Sequence, residues 1–157
     1  MTVYLDHAAS TPMRSVAIDA MRPFLDDTYA NPAGAHRFAR RARKAVDEAR
    51  DEIAQLIGCD PGEVIFTGGG TEADNATILG AVRMHGGVAV CSAAEHHAVL
   101  HCVEHTRGHV VGTTATGSID LEHLERVLRD QSVDIAVVSV MAVNNEVGTI
   151  TPLRKVA

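Results

Sequence analysis

The run FTGGGTEADN, residues 66–75, sets three consecutive glycines ahead of a threonine and a glutamate, where a short apolar stretch gives way to helical periodicity. Glycine loses more backbone freedom on folding than any other residue, so three in a row predict a positive φ or a close backbone approach at this turn. The helix that starts behind them offers unpaired N–H groups and the positive end of its dipole, and together these suit an anion. Two further polar groups stand at comparable points. Ser92, Glu95 and His96 follow the apolar run 88–91, pairing a carboxylate with the side chain whose charge changes near neutral pH. Asn144, Asn145 and Glu146 lie in MAVNNEVGT, directly after the apolar run DIAVVSV.

The elements that must position these groups alternate. Apolar runs at 64–67, 88–91, 110–113 and 135–140 read as strands, and the segments 71–85, 97–107 and 120–129 between them as helices. Residues 3–5 form a short extended start. A helix is predicted over 15–25, with Pro23 ending or kinking it. The longest helix is predicted over 37–57, where apolar residues at 38, 42, 45, 46, 49, 53, 56 and 57 recur at helical spacing and Gly58 supplies the stop. Strands alternating with helices imply the α/β class, a mainly parallel sheet with helices on both faces. In such sheets ligands bind beyond the carboxyl ends of the strands, which is where all three polar groups fall.

Each group also has a purely structural reading. Thr71 with Asp74 approximates a capping box, Glu95 suits the first turn of a helix, and adjacent asparagines are ordinary turn residues. Two other ligand classes fit parts of the pattern. Gly68, Gly70 and Ala73 match G-x-G-x-x-[GA], with Glu95 about 20 residues on, where a dinucleotide fold places a ribose-binding acid. That fold normally begins with this unit, however, and here a long helix precedes it. No Lys-Ser or Lys-Thr follows the glycines, so a P-loop is excluded. His97, His101 and His105 fall on one helix face, a spacing at which imidazoles can share zinc. With nine histidines scattered through the chain, the stripe reads as a solvated or partly buried face, and no metal is expected.

The 157 residues carry a net charge of −6, with 12 arginines and only two lysines, Lys44 and Lys155. That balance argues against a general nucleic-acid or membrane-surface role, which rests on many cationic contacts. No apolar stretch approaches the roughly 20 residues that span a bilayer, and the start lacks a leader pattern, so a cytoplasmic protein is expected. Cys59, Cys91 and Cys102 show no C-x-x-C spacing, which indicates neither a disulfide framework nor a zinc knuckle.

Taken in order, YLDHAASTP, NPAGAHRFARRARKAVDEAR, VIFTGGGTEADN, AAEHHAVL and VNNEVGTI resemble the pyridoxal-phosphate-dependent cysteine desulfurases of the class V aminotransferase group, in the branch that serves iron–sulfur assembly and tRNA thiolation. The resemblance runs from Tyr4 to the last residue. It implies that the anion is the phosphate of pyridoxal 5'-phosphate, bound by Gly70 and Thr71. It further implies that His96 stacks on the cofactor ring and aids proton transfer as the catalytic histidine, and that Asn145 hydrogen-bonds the phenolic oxygen. Gly70 stands where many relatives have alanine. The implied fold is part of the large domain of a fold-type I pyridoxal-phosphate enzyme, with residues 1–14 as an arm that joins the small domain in relatives and 15–157 as the first half of the large domain.

The implied reaction turns L-cysteine into L-alanine and leaves the sulfur on an enzyme cysteine as a persulfide. A homodimer and a sulfur-acceptor protein are the implied partners. The Schiff-base lysine, the catalytic cysteine and the aspartate that pairs with the pyridine nitrogen match nothing in these residues. Lys44 lies in an Arg-rich helix, and Lys155 has no Ser-x-His-Lys context. The expectation is therefore an N-terminal portion of such an enzyme, whether one part of a split enzyme, a truncated product or an incomplete sequence. The alternatives are another class V member, such as a selenocysteine lyase or an aminotransferase, and a non-catalytic remnant that binds a partner chain. If the reading holds, Thr71, His96 and Asn145 should surround one cleft, within about 10 Å of one another.

Overall fold

In the computed structural model, which describes residues 2–157, the chain divides into two compact units, Met1–Phe66 and Thr67–Ala157. In the first unit, helix α1 spans Ser15–Leu25 and α2 spans Arg37–Ile57. The apolar spacing of α2 buries Ala39, Ala42 and Ala54, and His36 caps its start by accepting the Ala39 N–H on Nδ1 at 3.2 Å. Gly58 ends it in the left-handed region at φ 75°, returning its N–H to the Ala54 carbonyl, a conformation that a Cβ would oppose. Pro23 lies within α1 and does not end it. Its missing N–H removes one ladder bond near the helix end, where little helix remains to be disrupted.

The first predicted strand does not form. Residues 64–66 follow a 3₁₀ turn at Pro61–Glu63, and Val64 is extended at φ −91° and ψ 117°. A strand is defined by its neighbour, and among the described residues none pairs with this run. Arg50 of α2 holds it instead, with Nε donating to the Val64 carbonyl at 3.3 Å and the guanidinium 5.2 Å from the Phe66 ring centroid.

The second unit contains, in order, α3 (Gly70–His85), β1 (Val88–Ser92), α4 (His97–His105), β2 (His109–Val111), α5 (Leu121–Arg129), β3 (Ile135–Ser139) and α6 (Leu153–Val156). The strands form one parallel sheet in the order β2-β1-β3, with Val90 opposite His109 on one side and Val138 on the other. Successive strand side chains point to opposite faces, and this alternation divides the core. Ala89 and Cys91 pack with Ile78 of α3 and with Val99, Cys102 and Val103 of α4. Val90 packs with Val111, Ile119 and Leu124 on the α5 side. Helices thus cover both faces, as the alternating pattern predicts. At the entry to β1, Gly87 has φ 77°, and a Cβ there would lie 2.2 Å from the Asp134 carbonyl oxygen. No helix among the described residues is long and apolar enough to cross a membrane.

Candidate functional site

The N-terminus of α3 begins at Gly70 behind an extended Gly69, and no side chain caps it. Among the described residues the Gly70 and Thr71 N–H groups donate to no atom of the chain. The positive φ that the sequence offered as one reason for the glycines is absent, while a Cβ on Gly68 would lie 3.0 Å from Glu72 Oε2. None of the three lies in the left-handed region, and a Cβ on Gly69 or Gly70 would meet no atom within 4 Å. The anticipated Thr71–Asp74 capping box is also absent. Glu72 folds back instead, accepting the Gly68 N–H at 2.6 Å, and Thr67 Oγ1 donates to the Gly69 carbonyl at 3.0 Å. Thr71 is exposed, and its carbonyl accepts Asn75 Nδ2 at 2.7 Å.

His96 is the N-cap of α4, just past the carboxyl end of β1. Its Nδ1 accepts the Ala98 N–H at 3.1 Å, so in the neutral ring the proton sits on Nε2, on an exposed imidazole. Glu95 beside it is half-buried and accepts the Met141 N–H. Burial pushes its carboxyl above the ordinary carboxylate range, opposed by N–H groups of Met141 and His96. This bond ties Glu95 to the segment after β3 through one of its two oxygens. Nothing in the local sequence singles out this contact; the only signal is the position of Glu95 beside His96.

The segment after β3 folds back on itself, with Val143 bridging Ile150 in antiparallel fashion. Here the two asparagines separate in role. Asn144 Oδ1 accepts the Glu146 and Val147 N–H groups, both at 2.9 Å, and its Nδ2 donates to the Ala94 carbonyl at 2.8 Å. Asn145 is exposed on the turn, and among the described residues its amide bonds to nothing. Asn144→Ala should therefore cost about 2–3 kcal/mol, three bonds at roughly 1 kcal/mol each. Asn145→Ala should stay within about 0.5 kcal/mol of the parent. Urea unfolding of both variants checks this, and equal midpoints would show that Asn144 is not the brace.

Parallel pairing brings the segments after β1 and β3 out at the same sheet edge, and the Asn144 and Glu95 bonds tie them together. Helix α3 packs against α4, so Thr71 joins Asn75, Ala98, His101, Cys102 and His105 around a cleft of about 440 Å³. That cleft does not include His96 or Asn145, so it is not the single cleft expected around Thr71, His96 and Asn145. His97 and His101 stack at 5.5 Å between ring centroids, and no three metal-ligating side chains gather among the described residues.

The Aminotransferase class-V family matches residues 3–157. The cysteine desulfurase IscS of Dictyoglomus turgidum is 40% identical over 99% of this chain and 41% of its own length. Among solved structures, a NifS-like protein superposes with a TM-score of 0.87 at 31% identity, covering 99% of this chain and 45% of that one. SspA in complex with cysteine superposes with a TM-score of 0.80, also at 31% identity, over 99% of this chain and 46% of that one. The chain therefore spans about two fifths of the length of its curated relative, and over that span it belongs to the class V aminotransferase family.

Proposed function

We propose that these residues are the N-terminal part of a cysteine desulfurase and supply the phosphate-binding and ring-facing side of its cofactor site. Class V aminotransferases and cysteine desulfurases depend on pyridoxal phosphate. The observation that carries the reading is the uncapped N-terminus of α3, where the Gly70 and Thr71 N–H groups and the Thr71 hydroxyl bond to nothing among the described residues. That donor set fits a phosphate dianion, and no Cβ at positions 69 or 70 narrows the approach. When bound, the cofactor supplies an electron sink for chemistry at the α-carbon of an amino acid.

The chain's own residues bind and orient. Gly70 and Thr71 would hold the phosphate, and the His96 imidazole would face the ring. Asn145 would donate its amide to the phenolic oxygen. His96 is also placed to hold or move a proton at Nε2. Its Nδ1 bond to Ala98 keeps that tautomer.

The whole enzyme acts on L-cysteine, a substrate class supported by the cysteine complex of the similar SspA. The Cβ–S bond breaks, an S–S bond forms on an acceptor thiol and carbon takes the proton, giving L-alanine and a persulfide with no external oxidant. We assign residues 1–14 to an arm, and a homodimer with a sulfur-acceptor protein as partners.

Thr71→Val tests the phosphate assignment. A hydrogen bond to a charged group contributes about 1.5–3 kcal/mol, so affinity for pyridoxal phosphate should fall about 10- to 100-fold. Affinity for pyridoxal, which lacks the phosphate, should not change. A fluorescence titration of the parent chain that found the two compounds bound equally well would remove the assignment.

A further inference from the structure

Two hydrogen bonds, both donated by the segment after β3, join it to the segment after β1. Glu95 accepts the Met141 N–H, and Asn144 Nδ2 donates to the Ala94 carbonyl at 2.8 Å. Each side chain that makes the tie stands one residue before a candidate ligand-facing side chain: Glu95 before His96, and Asn144 before Asn145. Neither His96 nor Asn145 carries a side-chain bond across the gap itself, since the His96 bond to Ala98 stays within its own segment.

The segment after β3 is braced internally. Thr151 Oγ1 donates to the Met141 carbonyl at 2.6 Å, and the Asn144 N–H donates to the Thr149 carbonyl at 2.9 Å. Thr149 Oγ1 also reaches the Thr116 carbonyl at 2.5 Å. On the other side, β1 and α4 anchor Ala94–His96. Two stiff pieces are therefore joined at two points.

We propose that Glu95 and Asn144 are positioning residues that hold His96 and Asn145 at a set separation, so that the imidazole and the amide meet one ligand together. The physical gain is preorganisation. Two exposed side chains on independent turns would each be ordered at the ligand's expense, whereas a clamp made on folding removes that cost from binding. The charge-assisted bond to Glu95 is the stronger half of the clamp. Burial and the negative charge of Asp74 both raise the half-buried Glu95 carboxyl, while Met141 and His96 oppose the shift.

The geometric part of this inference stands by itself, and only its ligand part rests on the pyridoxal-phosphate reading. Amide hydrogen exchange on the unliganded 157-residue chain tests the first. Glu95→Ala should speed exchange at Met141 and also at Glu146 and Val147, whose N–H groups bind Asn144 and not Glu95. Glu95→Gln keeps an acceptor and should restore slow exchange at all three. A change confined to Met141 would mean that Glu95 makes only a local bond, and the clamp fails.

Titration with pyridoxal phosphate tests the second part. Glu95→Ala should weaken binding about tenfold, and that loss should vanish in a His96→Ala background, because Glu95 acts through His96. A loss undiminished in that background overturns the positioning role. If the parent chain does not bind pyridoxal phosphate, the cofactor reading fails, while the exchange pattern still decides the clamp.

Discussion

We expect no alanine from cysteine above the rate of free pyridoxal phosphate when the 157-residue chain is the only protein present. Desulfuration needs a lysine amine to hold the cofactor and a thiolate to take the sulfur. Neither lysine of these residues is built for the first role. Lys44 is exposed on α2 in an ion pair with Glu48 at 3.4 Å. Lys155 lies on α6, whose Val156 packs with the α5 side of the sheet. Borohydride added after pyridoxal phosphate should therefore fix no stoichiometric label on either one. A chain in which the same residues are followed by a segment bearing Ser-x-His-Lys and a cysteine loop should show both the label and turnover. Alanine production by the lone chain, with cofactor fixed at Lys44 or Lys155, would show that a lysine already present completes the site.

Alkylation should sort the three thiols just as sharply. Cys91 is buried on β1, and burial, reinforced by the charges of Glu95 and Glu104, pushes its pKa up to about 12. The thiolate is the nucleophile, so at pH 8 such a thiol is ionised on the order of a thousand times less than a free cysteine. Cys102 is buried on α4 and is raised in the same direction, mainly by burial and then by the charge of Asp74. Cys59, just past the end of α2, is only half-buried. Iodoacetamide followed by mass spectrometry should find one thiol labelled quickly and two protected until denaturant is added. The second unit then has no thiol able to take sulfur. Labelling of Cys91 in the native chain at the rate of Cys59 would contradict that conclusion.

Local physics made much of this chain legible. Residues 37–57 repeat apolar side chains at helical spacing and stop at a glycine, and α2 has those bounds because periodicity and a left-handed cap both act within a few residues. Alternation of short apolar runs with helical segments was likewise enough to imply a parallel sheet with a helical layer on each face. It also placed the Gly70–Thr71, Glu95–His96 and Asn144–Asn145 groups after apolar runs.

The tertiary structure decided what depends on distant partners. Residues 64–66 have strand-like composition but, among the described residues, no strand beside them, and Arg50 bonds to the Val64 carbonyl instead. Glu95 reads from the sequence as a helix start or a ribose ligand, and only the folded chain brings it to the Met141 N–H, 46 residues away. Asn144 and Asn145 are indistinguishable as turn residues. Only the Ala94 carbonyl, 50 residues back, makes the first a brace and leaves the second exposed. The physical reason is the same in each case. Periodicity and turn chemistry are written in neighbouring residues, whereas a hydrogen bond across the sheet edge exists only after β1 and β3 have paired.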